Sequence, residues 1–177
     1  MKKIIIILVV SIGFFYSCKK KEEHIYDFGE ASATRNGEVW NAKVVCDNRN
    51  PNFLLSMSRG ENRYTGTLHI SNFEPVLERQ QLVKYLSSGI GSGPEGRLCN
   101  SRFISMLDDQ SCDRFDLLEA DSANNYIRIT RQENNYDEIW GEFSATYIRT
   151  GVTCNSEEFA DTLIFRDGTF HFKGLNE

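Results

Sequence analysis

The chain has 177 residues, of which 40% are hydrophobic and 25% are charged, and its net charge is -5 at neutral pH. This length predicts one globular domain, and the composition excludes a wholly disordered or collagen-like chain. The acidic balance argues against a nucleic-acid partner, because such partners are held by a basic surface.

The first seventeen residues have the pattern of a secretory signal peptide. Lys2-Lys3 gives a positive start, and residues 4–16 are an almost continuous apolar run, too short for a transmembrane helix of about 20 residues. The run ends at Ser17-Cys18, which resembles a bacterial lipobox with Phe15 where leucine is usual. The pattern predicts cleavage before Cys18 and acylation of its thiol, and the acyl chains would hold the protein in the membrane.

A charged segment follows the predicted lipidation site. Residues 18–29 include the run Lys19-Lys20-Lys21-Glu22-Glu23 and show no apolar period, so we expect a tether. Lysines followed by paired acids near the lipidated cysteine resemble the surface-export signal of Bacteroidetes lipoproteins. The sequence therefore predicts a signal peptide (1–17), a tether (18–29) and a β domain (30–177). It also predicts an outer-membrane lipoprotein that faces the periplasm or the cell surface.

Nearly every segment after the tether has the pattern of a β-strand. Apolar or small residues alternate with polar ones from Ile139 to Tyr147, and turn residues recur along the chain. We therefore predict an all-β domain, a single antiparallel sandwich or barrel of about 9–11 strands with little or no helix. Residues 75–86 fit either a helix with Pro75 in its first turn or a turn followed by a strand. The clearest strands are 41–46, 53–58, 65–73, 114–119, 126–131, 138–149, 161–166 and 169–173.

The dipeptide Asn36-Gly37 predicts a tight hairpin near the start of the domain. Asn-Gly is the preferred pair for a two-residue type I′ loop. This register pairs Arg35 with Glu38 and Ala33 with Trp40, and it puts the small alanine opposite the large indole.

The dipeptide Asp167-Gly168 predicts a second hairpin near the end of the chain. The same loop geometry pairs Phe165 with Phe170 and Leu163 with Phe172, so all four apolar side chains share one face. We expect the remaining face of this hairpin to point to solvent.

Four cysteines remain in the domain after Cys18, and an even number in an exported chain indicates disulfides. Of the three pairings, we favour Cys46–Cys154, which ties an early strand to a late loop, and Cys99–Cys112, which closes a short loop. Zinc is disfavoured because the chain has no CxxC pair. A nucleophilic cysteine is disfavoured because an oxidising compartment would consume it.

Several segments together resemble a known family. They are Ala-x-x-Asn-Gly-x-x-Trp-x-Ala at 33–42, Leu-His-Ile-Ser-Asn-Phe-x-Pro at 68–75, Asn-Tyr-Ile-Arg-Ile-Thr at 125–130, Ile-Trp-Gly-Glu-Phe at 139–143, and the stretch 161–172. Over residues 31–173 the chain is similar to small lipoproteins abundant in Bacteroidetes, with an N-terminal Asn-Gly-x-x-Trp hairpin and two Gly-x-Phe strands. The resemblance implies an exported all-β module with no established activity, and it favours turn plus strand within 75–86.

Several residues are candidates for chemistry, but none forms a strong catalytic pattern. Residues 91–96 match GxGxxG, yet Pro94 and the residues after it do not open a helix, so we expect a loop and no nucleotide site. His24 lies in the tether, while His69 and His171 alternate with apolar neighbours and should point outward into solvent. No partner for a catalytic or metal site is visible beside them.

Acidic and aromatic residues suggest weaker possibilities. Carboxylates near Cys112 have loop spacing that suits Ca²⁺, but the spacing is not that of an EF-hand, and a solvated acidic hairpin is expected. These carboxylates belong to Asp108, Asp109, Asp113 and Asp116. The aromatic residues Tyr64, Tyr136 and Trp140 are candidates for a sugar or protein contact surface. Ser122 and Thr162 follow aspartates in a pattern that resembles a Bacteroidetes O-glycosylation site.

These patterns favour a non-enzymatic, lipid-anchored envelope protein that acts as a binding or accessory module. The alternative is a small-ligand carrier with a barrel cavity, and a glycan-active enzyme ranks third. We expect no cofactor, metal or catalytic residue, membrane attachment through Cys18, and a protein or glycan partner. A carrier needs an interior pocket of about 300 Å³ or more, an enzyme needs convergent acids or histidines, and a binding module needs an exposed patch.

Overall fold

The computed structural model describes residues 29–47, 53–61, 63–84, 92–93, 96–97, 99–133, 138–154 and 157–173. Within these ranges the chain forms twelve β-strands and one 3₁₀ helix, Glu119–Asn124. The strands are β1 (Gly29–Arg35), β2 (Glu38–Asp47), β3 (Phe53–Glu61), β4 (Tyr64–Phe73), β5 (Arg79–Lys84), β6 (Ser92–Gly93), β7 (Gly96–Arg97), β8 (Cys99–Leu107), β9 (Gln110–Leu117), β10 (Tyr126–Glu133), β11 (Glu138–Gly151) and β12 (Thr162–Lys173). Ten of them form one sheet and β6 pairs with β7, so the predicted all-β fold is confirmed. No helix in the described ranges is long and apolar enough to cross a membrane.

The ten-stranded sheet closes on itself as a barrel. Strands β1, β2, β3, β4, β8, β9, β11 and β12 follow one another around the wall in chain order, and each is antiparallel to the next. Strand β12 then pairs back with β1, which closes the circle. Along each strand of such a barrel, the side chains point alternately into and out of the barrel.

Strands β5 and β10 fill a split in the barrel wall. The first residues of β8 pair with β5 and the later ones with β9, while β11 pairs with β10 over its first half and with β9 near its end. Asn125 lies fully buried at this split. Its Nδ2 donates to the Leu118 carbonyl at 3.0 Å, and its Oδ1 accepts from the Thr146 N–H at 2.8 Å. The predicted turn and strand within residues 75–86 are confirmed by β5.

The up-and-down order places the β1–β2, β3–β4, β8–β9 and β11–β12 connections together at one end of the barrel, here called the hairpin end. The start of β1 and the end of β12 lie at the opposite end, because those two strands are antiparallel neighbours. The chain therefore enters the barrel at the end away from the hairpins.

Large aromatic side chains pack the barrel interior. Trp40, Phe103, Phe143 and Phe165 are all fully buried. The Trp40 and Phe165 rings meet edge to face at 5.0 Å between centroids, and Phe103 lies 5.9 Å from Phe165. In β11 the apolar positions predicted to share a face are buried, since a period of two sends them all inward.

The predicted hairpin at Asn36-Gly37 is confirmed. The two residues have φ angles of 52° and 85°, as a type I′ turn requires. Arg35 lies opposite Glu38, and Ala33 lies opposite Trp40. The small alanine leaves room for the indole inside the barrel.

The predicted hairpin at Asp167-Gly168 is wrong, because Thr162–Lys173 is a single strand. The dipeptide instead forms a β-bulge, at which the register shifts by one residue against both β1 and β11, with Asp167 at a φ of 52°. An unbroken β12 pairs with two strands along its length and closes the barrel, which outweighs the local turn preference. The extra residue lets Phe165 and Phe170, five positions apart, both point inward. A Cβ on Gly168 would lie 2.6 Å from the Phe143 carbonyl oxygen, so glycine is required here by close approach.

The predicted disulfide pairing is also wrong. Cys112 is bonded to Cys154, with 5.0 Å between their Cα atoms, whereas Cys46 and Cys99 remain thiols. Cys99 begins β8, while Cys112 lies two residues into β9, beside the hairpin turn that joins these antiparallel strands. About six residues of extended strand, roughly 20 Å, separate the two positions along the hairpin. Burial also raises the pKa of the Cys99 thiol, which keeps it protonated.

Candidate functional site

A groove of about 550 Å³ lies on the outer wall of the barrel, where β2, β1, β12 and β11 run side by side. Its lining includes exposed Ser32, Asn41 and Thr169, whose side chains carry hydrogen-bonding groups. It also includes residues whose own side chains are buried in the barrel, Ala31 and Phe170 among them. We call this feature the outer groove.

A row of five side chains crosses the wall at this place. Strand pairing sets Arg131, Trp140, His171, Glu30 and Lys43 next to one another on β10, β11, β12, β1 and β2. The rings of Trp140 and His171 are stacked, with 4.6 Å between centroids and 7° between planes. The Arg131 guanidinium lies 4.4 Å from the Trp140 ring centroid. Since Arg131 and His171 come from opposite neighbouring strands, Trp140 is held between them, and His171 is on the groove side.

A carboxylate holds the His171 ring in place. The Nε2 atom of His171 lies 2.9 Å from Oε1 of Glu138, which is two residues before Trp140 on the same strand. The His171 side chain is 44% exposed and points outward, as the strand alternation predicts. The stacked pair of Trp140 and His171 is therefore fixed from both sides and still accessible to solvent.

Gly141 allows the strands beneath the stacked pair to pack closely. It lies opposite Phe170, and a Cβ at this position would meet the Phe170 ring at 2.3 Å and the Arg128 carbonyl oxygen at 2.8 Å. Both distances are far shorter than van der Waals contact, so a side chain here would have to displace the core ring and the neighbouring backbone. The adjacent Trp140 is thus presented by a tightly packed part of the wall.

The charges around the outer groove come in opposite pairs. Glu30 faces Lys43 across β1 and β2, and Arg128 faces Glu142 across β10 and β11. Among the described residues that line the groove, one acidic and one basic side chain are present, Glu30 and Lys43. This arrangement produces no strong local field of either sign.

His69 lies away from the groove, on β4, and is half-buried rather than solvated as expected. Its Nδ1 is 3.0 Å from the Ser56 hydroxyl on β3, and its other strand neighbour is Arg102. Burial, with a smaller contribution from the Arg102 charge, lowers the pKa of His69 to about 4. The imidazole is therefore neutral at physiological pH, and its role is to form a hydrogen bond within the barrel wall.

The depressed pKa of His69 predicts a loss of stability in acid. In the unfolded chain His69 becomes protonated below about pH 6.5, whereas in the folded protein it becomes protonated only below about pH 4. As the pH falls through this window, the free energy of unfolding should decrease by about 1–3 kcal/mol from this group. Urea unfolding at a series of pH values should show a shallower decrease for His69→Gln. His171→Gln is the matched control, and an unchanged slope in His69→Gln would contradict the assignment.

The acidic residues around Cys112 do not gather into a cation site. Asp113 is fully buried, and its Oδ2 pairs with Arg149 at 3.1 Å. Asp116 pairs with Lys84 at 3.4 Å, and Asp108-Asp109 forms the β8–β9 turn. In the part of the chain that the structure describes, no group of three or more His, Cys, Asp or Glu residues is placed to hold a metal ion.

The other sequence candidates are dispersed. Tyr64 packs against Phe159 at the hairpin end, with 6.4 Å between ring centroids, so of the predicted contact aromatics Trp140 is the one in the groove. Tyr136 lies outside the described residues, as do two candidates near the N-terminus, Cys18 and His24.

The two short motifs also find places in the fold. The described residues of the GxGxxG match do not start a helix, because residues 92–93 (β6) pair with Gly96 and with Arg97, which follows the match (β7). Ser122 is exposed on the 3₁₀ helix, whereas Thr162 is half-buried at the start of β12. O-glycosylation at either residue stays a prediction.

Sequence reasoning singled out Trp140 and His171 separately but did not place them together, and it missed Arg131 and Glu30. Arg131, His171 and Glu30 join Trp140 only because β10, β11, β12 and β1 are neighbours in the closed sheet. Alternation shows that each side chain points outward, but it does not show which strands are adjacent. Comparison with known protein families, curated proteins and solved structures finds no match for this chain.

Proposed function

We propose that the chain is an envelope lipoprotein, acylated at Cys18, whose barrel acts as a non-catalytic binding module through the outer groove. The observation that carries the proposal is the stacked pair of Trp140 and His171 in a groove of about 550 Å³. Binding sites for small ligands have volumes in this range and combine flat apolar surface with a few placed polar groups.

The anchoring half of the proposal rests on the sequence. The apolar run, the lipobox-like ending at Cys18 and the charged tether follow one another in the order that lipoprotein export requires. The chain enters the barrel at the end away from the hairpins. An acylated Cys18 would accordingly hold that end toward the membrane and leave the side wall with the groove accessible.

The packed interior supports a wall-binding module over a carrier. Trp40, Phe103 and Phe165 fill the space that a carried ligand would need, and all three are fully buried. The exposed groove is the better candidate for recognition.

The composition of the groove supports a binding role over glycan hydrolysis. Glycosidases use two carboxyl groups on either side of the bond that they cleave. Among the described residues that line the groove, Glu30 is the one carboxylate. The Glu138 carboxylate nearby is engaged by His171.

We predict that Cys18→Ala leaves the protein unlipidated and released from the membrane. The thiol is the atom that receives the lipid, so its removal abolishes attachment through acyl chains. Metabolic labelling with palmitate followed by membrane fractionation measures both effects. A Ser17→Ala variant, which keeps the thiol and a small residue before it, is the control. Unchanged label and membrane retention in Cys18→Ala would contradict the anchoring half of the proposal.

We predict that a photo-crosslinking residue at Asn41 forms adducts in intact cells. Asn41 is exposed and lines the groove, whereas Ile164 is exposed on β12 outside it and provides the matched control position. Adducts on the full-length, lipidated protein should appear from position 41, be absent from position 164, and disappear when Trp140→Ala is added. Equal labelling from both positions, or none from either, would contradict a binding role for the groove.

A further inference from the structure

We infer that the outer groove binds a neutral carbohydrate, with a sugar ring against His171 and its hydroxyls on the polar side chains of β1, β2 and β12. The inference rests on the proposed function and names the ligand class of the same site. Four features of the groove carry it, namely the stacked pair, the polar row beside it, the distance between them and the balance of charge.

The stacked pair supplies a rigid, flat surface. His171 is backed by Trp140, which is in turn backed by Arg131, and the ring is oriented by Glu138. A hexose ring has one face of C–H bonds and a rim of hydroxyls, so it packs its C–H face on an aromatic plane. Because the pair is held before binding, little side-chain freedom is lost when the ligand arrives.

A polar row lies next to the stacked pair. Asn41, Ser32 and Thr169 are neighbours across β2, β1 and β12, each two residues along its strand from the row that contains His171. Two residues of strand correspond to about 7 Å, roughly the width of one pyranose ring. The Asn41 amide and the Ser32 and Thr169 hydroxyls can each donate and accept hydrogen bonds, and a sugar hydroxyl needs partners of both kinds.

The charge balance selects a neutral ligand. Binding of a phosphate, sulfate or carboxylate requires several cationic groups that converge on it. Here Lys43 faces Glu30 inside the groove, and Arg128 faces Glu142 beside it. A polyhydroxylated ligand without charge gains hydrogen bonds from these groups and loses nothing to repulsion.

Titration of the full-length lipoprotein with neutral tetrasaccharides tests the inference. The protein is kept in a detergent that contains no sugar, and the probes are cellotetraose, maltotetraose, mannotetraose, xylotetraose and chitotetraose. The chain has two tryptophans, of which Trp40 is fully buried, so a saturable change in tryptophan emission reports on Trp140. Calorimetry measures the affinity of each variant. Tetragalacturonate serves as the charged comparison.

At least one neutral tetrasaccharide should bind, and His171→Ala should weaken it about tenfold or more. His171→Phe keeps a flat ring but removes the contact with Glu138. It should retain most of the affinity, whereas it would lose affinity if His171 acted only through that contact. Ile164→Ala, on the same strand outside the groove, should bind as the parent does.

Two results would overturn the inference. They are the absence of heat and emission change with every neutral probe, and binding of tetragalacturonate alone. If the Asn41 position nevertheless captures a partner in cells, the proposed binding role stands and only the ligand class fails. If a neutral probe binds at His171 but no adduct forms in cells, the ligand class stands and the cellular role fails.

Discussion

Replacing Phe170 with alanine is expected to lower the free energy of unfolding by about 3–5 kcal/mol. Phe170 is 3% exposed, and its ring lies parallel to Phe172 with 6.4 Å between centroids. Its ring also occupies the space directly beside Gly141, which has no side chain of its own to fill a gap there. Truncation would therefore leave a cavity that the wall cannot fill, in addition to the lost burial of the ring.

Urea unfolding of the protein measures this effect, with Ile164→Ala as the matched control. Ile164 is on the same strand but points outward and is 39% exposed, so its truncation should cost about 0.5 kcal/mol. Phe170→Leu, which keeps most of the buried volume, provides a measurable variant if Phe170→Ala does not fold. Equal losses for Phe170→Ala and Ile164→Ala would mean that the inward and outward faces of β12 are assigned incorrectly.

Removing the disulfide by changing both Cys112 and Cys154 to serine is expected to cost about 2–4 kcal/mol. The bridge joins residues 42 positions apart, and its loss gives the unfolded chain more freedom. It also ties the segment after β11 to the start of β9. That segment carries Phe159, which is 2% exposed and lies 5.6 Å from Phe103 between ring centroids. We expect the hairpin end of the barrel to open first when the bridge is absent.

Denaturant unfolding with and without reductant tests the disulfide prediction. Reductant should destabilise the parent protein by the same amount as the double substitution, and it should have no effect on the doubly substituted protein. A parent protein that is equally stable in both conditions would contradict a stabilising bridge between these cysteines. Peptide mapping without reduction would then identify the oxidised pairs directly.

Local chemistry was enough to predict parts of the fold. The prediction of the Asn36-Gly37 hairpin was correct because few residue pairs adopt the two left-handed conformations of such a turn at low energetic cost. The turn then sets the register of the two strands beside it. The inward face of β11 was correct because a period of two depends only on residues within one strand.

Other features were decided by partners distant in the chain. Asp167-Gly168 has the same turn preference, but both sides of β12 are paired, with β1 and with β11, and a turn would have broken both ladders. The dipeptide became a bulge because many backbone hydrogen bonds outweigh one local preference. The cysteine pairs were decided in the same way, since strand direction places Cys99 and Cys112 at different positions along the β8–β9 hairpin.

The amino-acid sequence by itself determined the all-β class, the first hairpin and the alternation of buried and exposed positions, because each depends on residues only a few positions apart. The outer groove was decided by the tertiary structure alone. Its polar row and stacked pair come from the strand pairs β1–β2 and β11–β12, and these two pairs become neighbours only when the last strand pairs with the first. Closure of the barrel depends on packing of the aromatic interior. Short-range sequence patterns therefore do not show which outward side chains become neighbours.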